Sequence, residues 1–156
     1  MHIKQIRLQK SSVESKVGDV PAISPLQHGF DAVTTVDKEN GSLSVLASLS
    51  VRAGDVLKID AEFVLDYLID KPALEMPGEV TRAFGRMSGI HNVWPFWREY
   101  VHSMSMRTGL PPVVLPLVTH ATMLAYYAKK EEEVAISTVQ RPQRRRKARQ
   151  PPRDDR

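Results

Sequence analysis

Few residues of this 156-residue chain are spaced for chemistry. Its five histidines are scattered at His2, His28, His91, His102 and His120. Only His91 and His102 can share a helix face, and the roughly 16 Å of helical rise between them is too long to ligate one ion. The chain has no cysteine, which excludes a disulfide scaffold, thiolate zinc sites, iron–sulfur ligation and a cysteine nucleophile. Asp60, Glu62 and Asp66 form an acidic row. Alternate residues on a strand face lie about 6.6–7 Å apart, a spacing compatible with an inverting glycosidase pair. A charged outer strand face is ordinarily just solvated, however, and no part of the sequence builds a pocket around this one. There is no Walker or dinucleotide glycine loop and no Gly-x-Ser-x-Gly elbow. The expectation is a protein that is not an enzyme and that uses no metal or cofactor.

What the chain has in excess is apolar surface. Val64, Leu68, Phe96, Tyr100 and Met106 lie off the main apolar stripes. Trp94, Phe96, Trp97 and Tyr100 crowd into one short stretch, and Leu110 to Val118 is an uncharged connection with three prolines. Such a surplus fits a subunit interface, a thicker core or an exposed interaction patch. Met104, Met106 and Met123 would suit a surface that repacks around varied partners.

The elements that must position these residues divide the chain in two. In residues 43–51 every odd position is apolar, and in 57–69 Leu57, Ile59, Ala61, Phe63, Leu65, Tyr67 and Ile69 share one face. This period of two predicts strands with one buried side. Arg52-Ala53-Gly54-Asp55 predicts a hairpin turn between them, and Asn40-Gly41 predicts another, since both residues tolerate positive φ. Phe30–Val36 and residues 3–14 read as two further strands, with 15–29 as loop. From Glu79 to Thr108 the period changes to 3.6. Ile90, Trp94, Trp97, Val101 and Met104 form one seam, with Asn92 as N-cap, Pro95 in the first turn and Gly109 as the stop. Thr119 predicts the cap of a last helix carrying Met123, Leu124, Tyr126 and Tyr127. The fold class expected is α+β: a four-stranded antiparallel sheet packed by two C-terminal helices.

Charge is unevenly placed. The chain carries 22 Lys+Arg against 18 Asp+Glu, but Arg141 to Arg156 alone is net +6 and residues 1–140 are net −2. The tail has one apolar side chain besides proline, Ala148, too little to offset ordering entropy, so it is expected to be disordered. We divide the chain into a domain at 1–138 and a basic tail at 139–156. The tail makes a nucleic-acid-binding module a rival reading, although no interleaved aromatics are present to stack bases. No apolar run approaches the ~20 residues of a membrane span, and the N-terminus lacks a signal-peptide core, so a cytoplasmic protein is expected.

Two blocks resemble the bacterial export chaperone SecB and its SecB-like relatives. Asn92-Val93-Trp94-Pro95-Phe96-Trp97-Arg98-Glu99 is similar to the family's Asn-x-Leu-Phe-Pro-Tyr-x-Arg-Glu helix start. Arg107-Thr108-Gly109-Leu110-Pro111-Pro112, followed by Leu115-Pro116-Leu117-Val118, is similar to its Arg-Gly-Thr-Phe-Pro segment and the Leu-x-Pro-Val after it. Ile6-Arg7-Leu8 with Val13-Glu14 matches the opening strand more loosely, and the likeness spans about residues 3–128. It implies an ATP-independent holdase for unfolded, export-competent polypeptides, supporting protein export and assembled as a homotetramer, a dimer of dimers. A client groove would then be lined by Trp94, Phe96, Leu110, Val113, Leu115 and Met123. The assembly helix would use Ile90, Trp97, Val101 and Met104, and Glu14 and Glu62 would fall where the family contacts the SecA translocation motor. Lys10 at a normally acidic position and the basic tail depart from that pattern. They point to the variant reading, a SecB-like chaperone dedicated to a toxin–antitoxin client.

Overall fold

Strict alternation in the first half of the chain gives four long strands in this computed structural model, which describes residues 1–16, 26–69 and 75–147, the stretch 137–147 by its backbone. They are β1 (His2–Ser15), β2 (Leu26–Asp37), β3 (Ser42–Ala53) and β4 (Leu57–Leu68). All pairings are antiparallel, in the order β1-β4-β3-β2. The register sets Leu43, Val45, Ala47, Leu49 and Val51 opposite Tyr67, Leu65, Phe63, Ala61 and Ile59, all of them buried. Both strands thus turn their odd positions to one face, whereas a one-residue slip would turn one of the two apolar rows to the other side.

Strand β1 looks irregular in sequence because it carries two register shifts, between Ile3 and Gln5 and between Leu8 and Lys10. Each extra residue resets the alternation. Ile3, Ile6, Leu8 and Val13 therefore stand opposite Tyr67, Leu65, Phe63 and Ile59, in line with the buried row of β4. Strands β1 and β2 reach further into the expected 15–29 loop than the pattern showed, and residues 17–25 of that loop lie outside the described residues.

At the β2–β3 turn only Gly41 has positive φ (61°); Asn40 does not need it. Asp37 holds this turn instead. Its Oδ1 accepts the amides of Glu39 and Asn40, both at 3.1 Å, and its Oδ2 accepts Asn40 Nδ2 at 2.7 Å. These bonds, the Asn40 side chain foremost, hold the Asp37 carboxyl below its ordinary pKa.

The helix expected over 79–108 is present, with a π turn inside it. Helix α1 (Gly78–Phe84) passes through one π turn (Gly85–Gly89) into α2 (Ile90–Arg107). Glycine is required there by packing. A Cβ on Gly85 would collide with Thr34 Oγ1, and one on Gly89 would sit 2.7 Å from Val45 Cγ1. The π turn is where the helical backbone comes down onto β2 and β3. Asn92 is consequently not an N-cap. Helical backbone runs straight through Gly89 (φ −59°, ψ −52°), and Asn92 Nδ2, inside α2, donates to the Tyr67 hydroxyl at 3.0 Å. Pro95 also lies inside the helix.

Gly109 ends α2 as expected, with φ 78°. Its amide bonds Met106 O at 3.0 Å and the Leu110 amide bonds Ser105 O at 3.1 Å, the two bonds of a Schellman cap. An extended segment, 111–119, follows.

The chain divides into two compact units, Met1–Val118 and Thr119–Arg156. The second contains α3 (His120–Lys147). Thr119 caps it reciprocally: its Oγ1 accepts the Thr122 amide at 3.2 Å, and Thr122 Oγ1 accepts the Thr119 amide at 2.9 Å. Met123 and Tyr127, one turn apart, are buried, whereas Leu124 is exposed. The backbone of α3 continues past the 138/139 boundary drawn from composition, and residues 148–156 lie outside the described residues.

Candidate functional site

The extended segment after α2 is strapped to that helix by three side chains. The Ser105 hydroxyl accepts the Val113 amide at 2.9 Å and donates to His102 O at 2.9 Å. Arg98 Nε donates to Leu115 O at 2.9 Å, and the Trp94 indole N–H donates to Pro116 O at 2.9 Å. Positions 105, 98 and 94 meet 113, 115 and 116 in turn, so the strap runs antiparallel to α2. Three prolines leave it without the donors for a sheet or helix, and helix side chains take over the pairing of its backbone. Leu115 is turned inward and fully buried. Val114 and Leu117 on either side of it are turned out, 66% and 73% exposed.

The Trp94 ring anchors an aromatic group on β2. Its centroid lies 5.8 Å from Phe30 and 6.0 Å from His28, both edge-on, and His28 stacks on Phe30 at 6.4 Å. Burial in this group pushes the His28 pKa below its ordinary value. Further along α2, Tyr100 stacks on Trp97 and meets Phe63 edge-on. Phe96 and Met106 are each 50% exposed.

The outer face of the sheet is polar and partly ion-paired. Lys58 Nζ lies 3.0 Å from Glu14 and 3.3 Å from Asp60. Its pKa is raised, mainly by the Glu14 bond. Glu62 faces Lys10 across the β1–β4 ladder. Among the described residues no cluster of three His, Asp or Glu side chains is arranged to hold a metal, and no helix is long and apolar enough to cross a membrane.

No family model and no curated protein matches the chain. Among solved structures, Mycobacterium tuberculosis Rv1957, a SecB-like chaperone in complex with a ChAD peptide from the Rv1956 HigA1 antitoxin, aligns with a TM-score of 0.66. Identity is 23%, over 76% of this chain and 89% of that one. The fold is SecB-like. A Streptococcus agalactiae protein of unknown function aligns more remotely, at a TM-score of 0.39 and 12% identity, over 74% of this chain and 96% of that one.

Within this SecB-like fold the expected site residues separate by exposure. Phe96 is open to solvent, and Leu110 and Val113 are half-buried. Trp94, in α2, and Leu115, in the strap, are buried in the single chain. Met123 belongs to the second unit and is buried. The expected assembly seam lies on the inner side of α2. Ile90, Trp97 and Val101 have no exposed surface in the single chain, because α2 turns this stripe inward. Of the four, only Met104 retains some exposure. The stripe continues inward through Ser105, four residues after Val101, not through Met104. Val64, counted in the apolar surplus, is also buried. Residue types alone did not single out Ser105, Arg98 or His28. The one available signal was a serine falling on an apolar stripe at helical spacing.

Proposed function

We propose that this chain is a SecB-like, ATP-independent chaperone that binds an extended polypeptide segment at the strap. The observation that carries this reading is the strap itself. An uncharged extended segment is held rigidly by Trp94, Arg98 and Ser105 while Val114 and Leu117 face solvent. Apolar burial is non-directional, so a fixed apolar rail of this kind accepts many sequences. No catalytic step, nucleotide or metal enters the reading. A dedicated client of the toxin–antitoxin type is favoured over general export on two grounds: the likeness to Rv1957, and the ion pair of Glu14 with Lys58 together with the placement of Lys10 opposite Glu62 in the β1–β4 register, which offsets negative charge a translocation motor would meet. Assembly as a tetramer, near four times 17.6 kDa, belongs to the same proposal.

The test is light scattering by a thermally unfolded client with and without the full-length protein. Wild type should suppress aggregation, and Val114→Asp/Leu117→Asp, a change at two exposed sites, should lose most of that effect while staying folded. Equal suppression by the double variant, or none by wild type, rejects the strap as the client surface.

A further inference from the structure

We infer that the free edge of β2 binds an extended, acidic segment of a client as an added strand. The inference rests on the chaperone reading but uses a surface separate from the strap. Among the described residues the order β1-β4-β3-β2 leaves β2 paired with β3 alone, so along Val33–Val36 alternate amides and carbonyls of its other side have no ladder partner. Beside that edge a cavity of about 660 Å³ opens between β2 and the α1–π segment. This volume falls within the range of ligand sites and accommodates several side chains. Its strand side is Val33, Thr34 and Val36; Arg82 and Arg86 stand on the helix side and Lys38 at the turn. The cavity lining has one carboxylate, Asp31, whose Oδ1 also accepts the Ala32 amide at 2.8 Å. Three cations against one carboxylate give the cavity a positive balance, although residues 1–140 are net negative.

These features select the occupant. Strand addition gives main-chain pairing at any exposed sheet edge, and the pockets beside the edge give the sequence preference. A partner strand would turn every second side chain toward the cavity, where Arg82 and Lys38 favour Glu or Asp and disfavour Lys.

The experiment uses the full-length protein and two fluorescein-labelled ten-residue peptides, one alternating Val with Glu and the other Val with Lys. Binding is read by anisotropy at low and moderate salt. The Glu peptide is expected to bind at least tenfold more tightly, and Lys38→Glu/Arg82→Glu, both exposed positions, should invert the preference. Hydrogen exchange, which requires no variant, should show alternate β2 amides between Val33 and Val36 slowed by the Glu peptide. Equal binding of the two peptides, an unchanged preference in the charge-reversed variant, or unaltered exchange along β2 overturns the inference. Aggregation suppression with no preference for the Glu peptide removes the edge site and leaves the chaperone reading. A charge-sensitive preference without any aggregation suppression does the reverse.

Discussion

Ser105→Ala is the most direct probe of how the strap is held. Ser105 is fully buried, and its hydroxyl is the acceptor for the Val113 amide. The substitution removes a single oxygen. At about 24 cal/mol per Å³ of cavity the vacated space costs only a few tenths of a kcal/mol. The lost bond to His102 O matters little, because that carbonyl lies within α2, where the helix supplies its own donor. The Val113 amide is different: it loses its acceptor in a partly buried place, which costs about 1–3 kcal/mol. The unpaired amide therefore dominates. Urea unfolding followed by tryptophan fluorescence should show a lower midpoint at an unchanged m-value. Hydrogen exchange at Val113 should rise by more than the global loss of stability explains, since the strap opens locally first. A change below about 0.5 kcal/mol together with unaltered Val113 exchange would refute the assignment of Ser105 as the strap's anchor.

Three further outcomes follow from the packing. Gly85→Ala should destabilise by about 1–3 kcal/mol through overpacking against Thr34, and Thr34→Ala in the same chain should restore part of the loss in thermal melts. Trp97→Ala should cost about 3–5 kcal/mol as a core truncation. Its urea midpoint should shift equally at every protein concentration; a shift that shrinks as concentration rises would instead mark Trp97 as an interface residue. His28 gives a pH dependence. Its folded pKa is lowered by burial, so below the unfolded value of about 6.5 the unfolded chain takes up a proton that the folded chain refuses. Stability should therefore fall as pH drops from 7.5 through 6.5, down to the folded pKa. The slope should be shallower in His28→Gln, and an identical pH profile in that variant would show that His28 carries none of it.

How much of this was legible beforehand depends on how far each pattern reaches along the chain. Period two exposed β3 and β4 because both keep strict register. It blurred β1, where two bulges space Ile3, Ile6 and Leu8 unevenly although they align with one row of β4. The helix was visible from its 3.6 period, but the π turn was not, since Gly85 and Gly89 are explained by Thr34 and Val45, which are distant in sequence. The same holds for the site. His28, Phe30 and Trp94 form one cluster across more than sixty residues, and no local spacing relates them.

The seam of α2 shows the underlying limit. Helical period identifies which side of α2 is apolar, but not whether that side meets the chain's own sheet or a second copy. Ile90, Trp97 and Val101 satisfy both readings on paper, and their complete burial in a single chain decides for the first. The seam's last step carried the information that separates them. Val101 plus four is Ser105, a polar residue on an apolar stripe, and a buried hydroxyl must find partners. Its partners are the helix backbone at His102 and the strap at Val113. A stripe whose polar member is satisfied within one chain belongs to that chain's core. The side of α2 that the chain leaves open carries Phe96 and Met106, each half exposed.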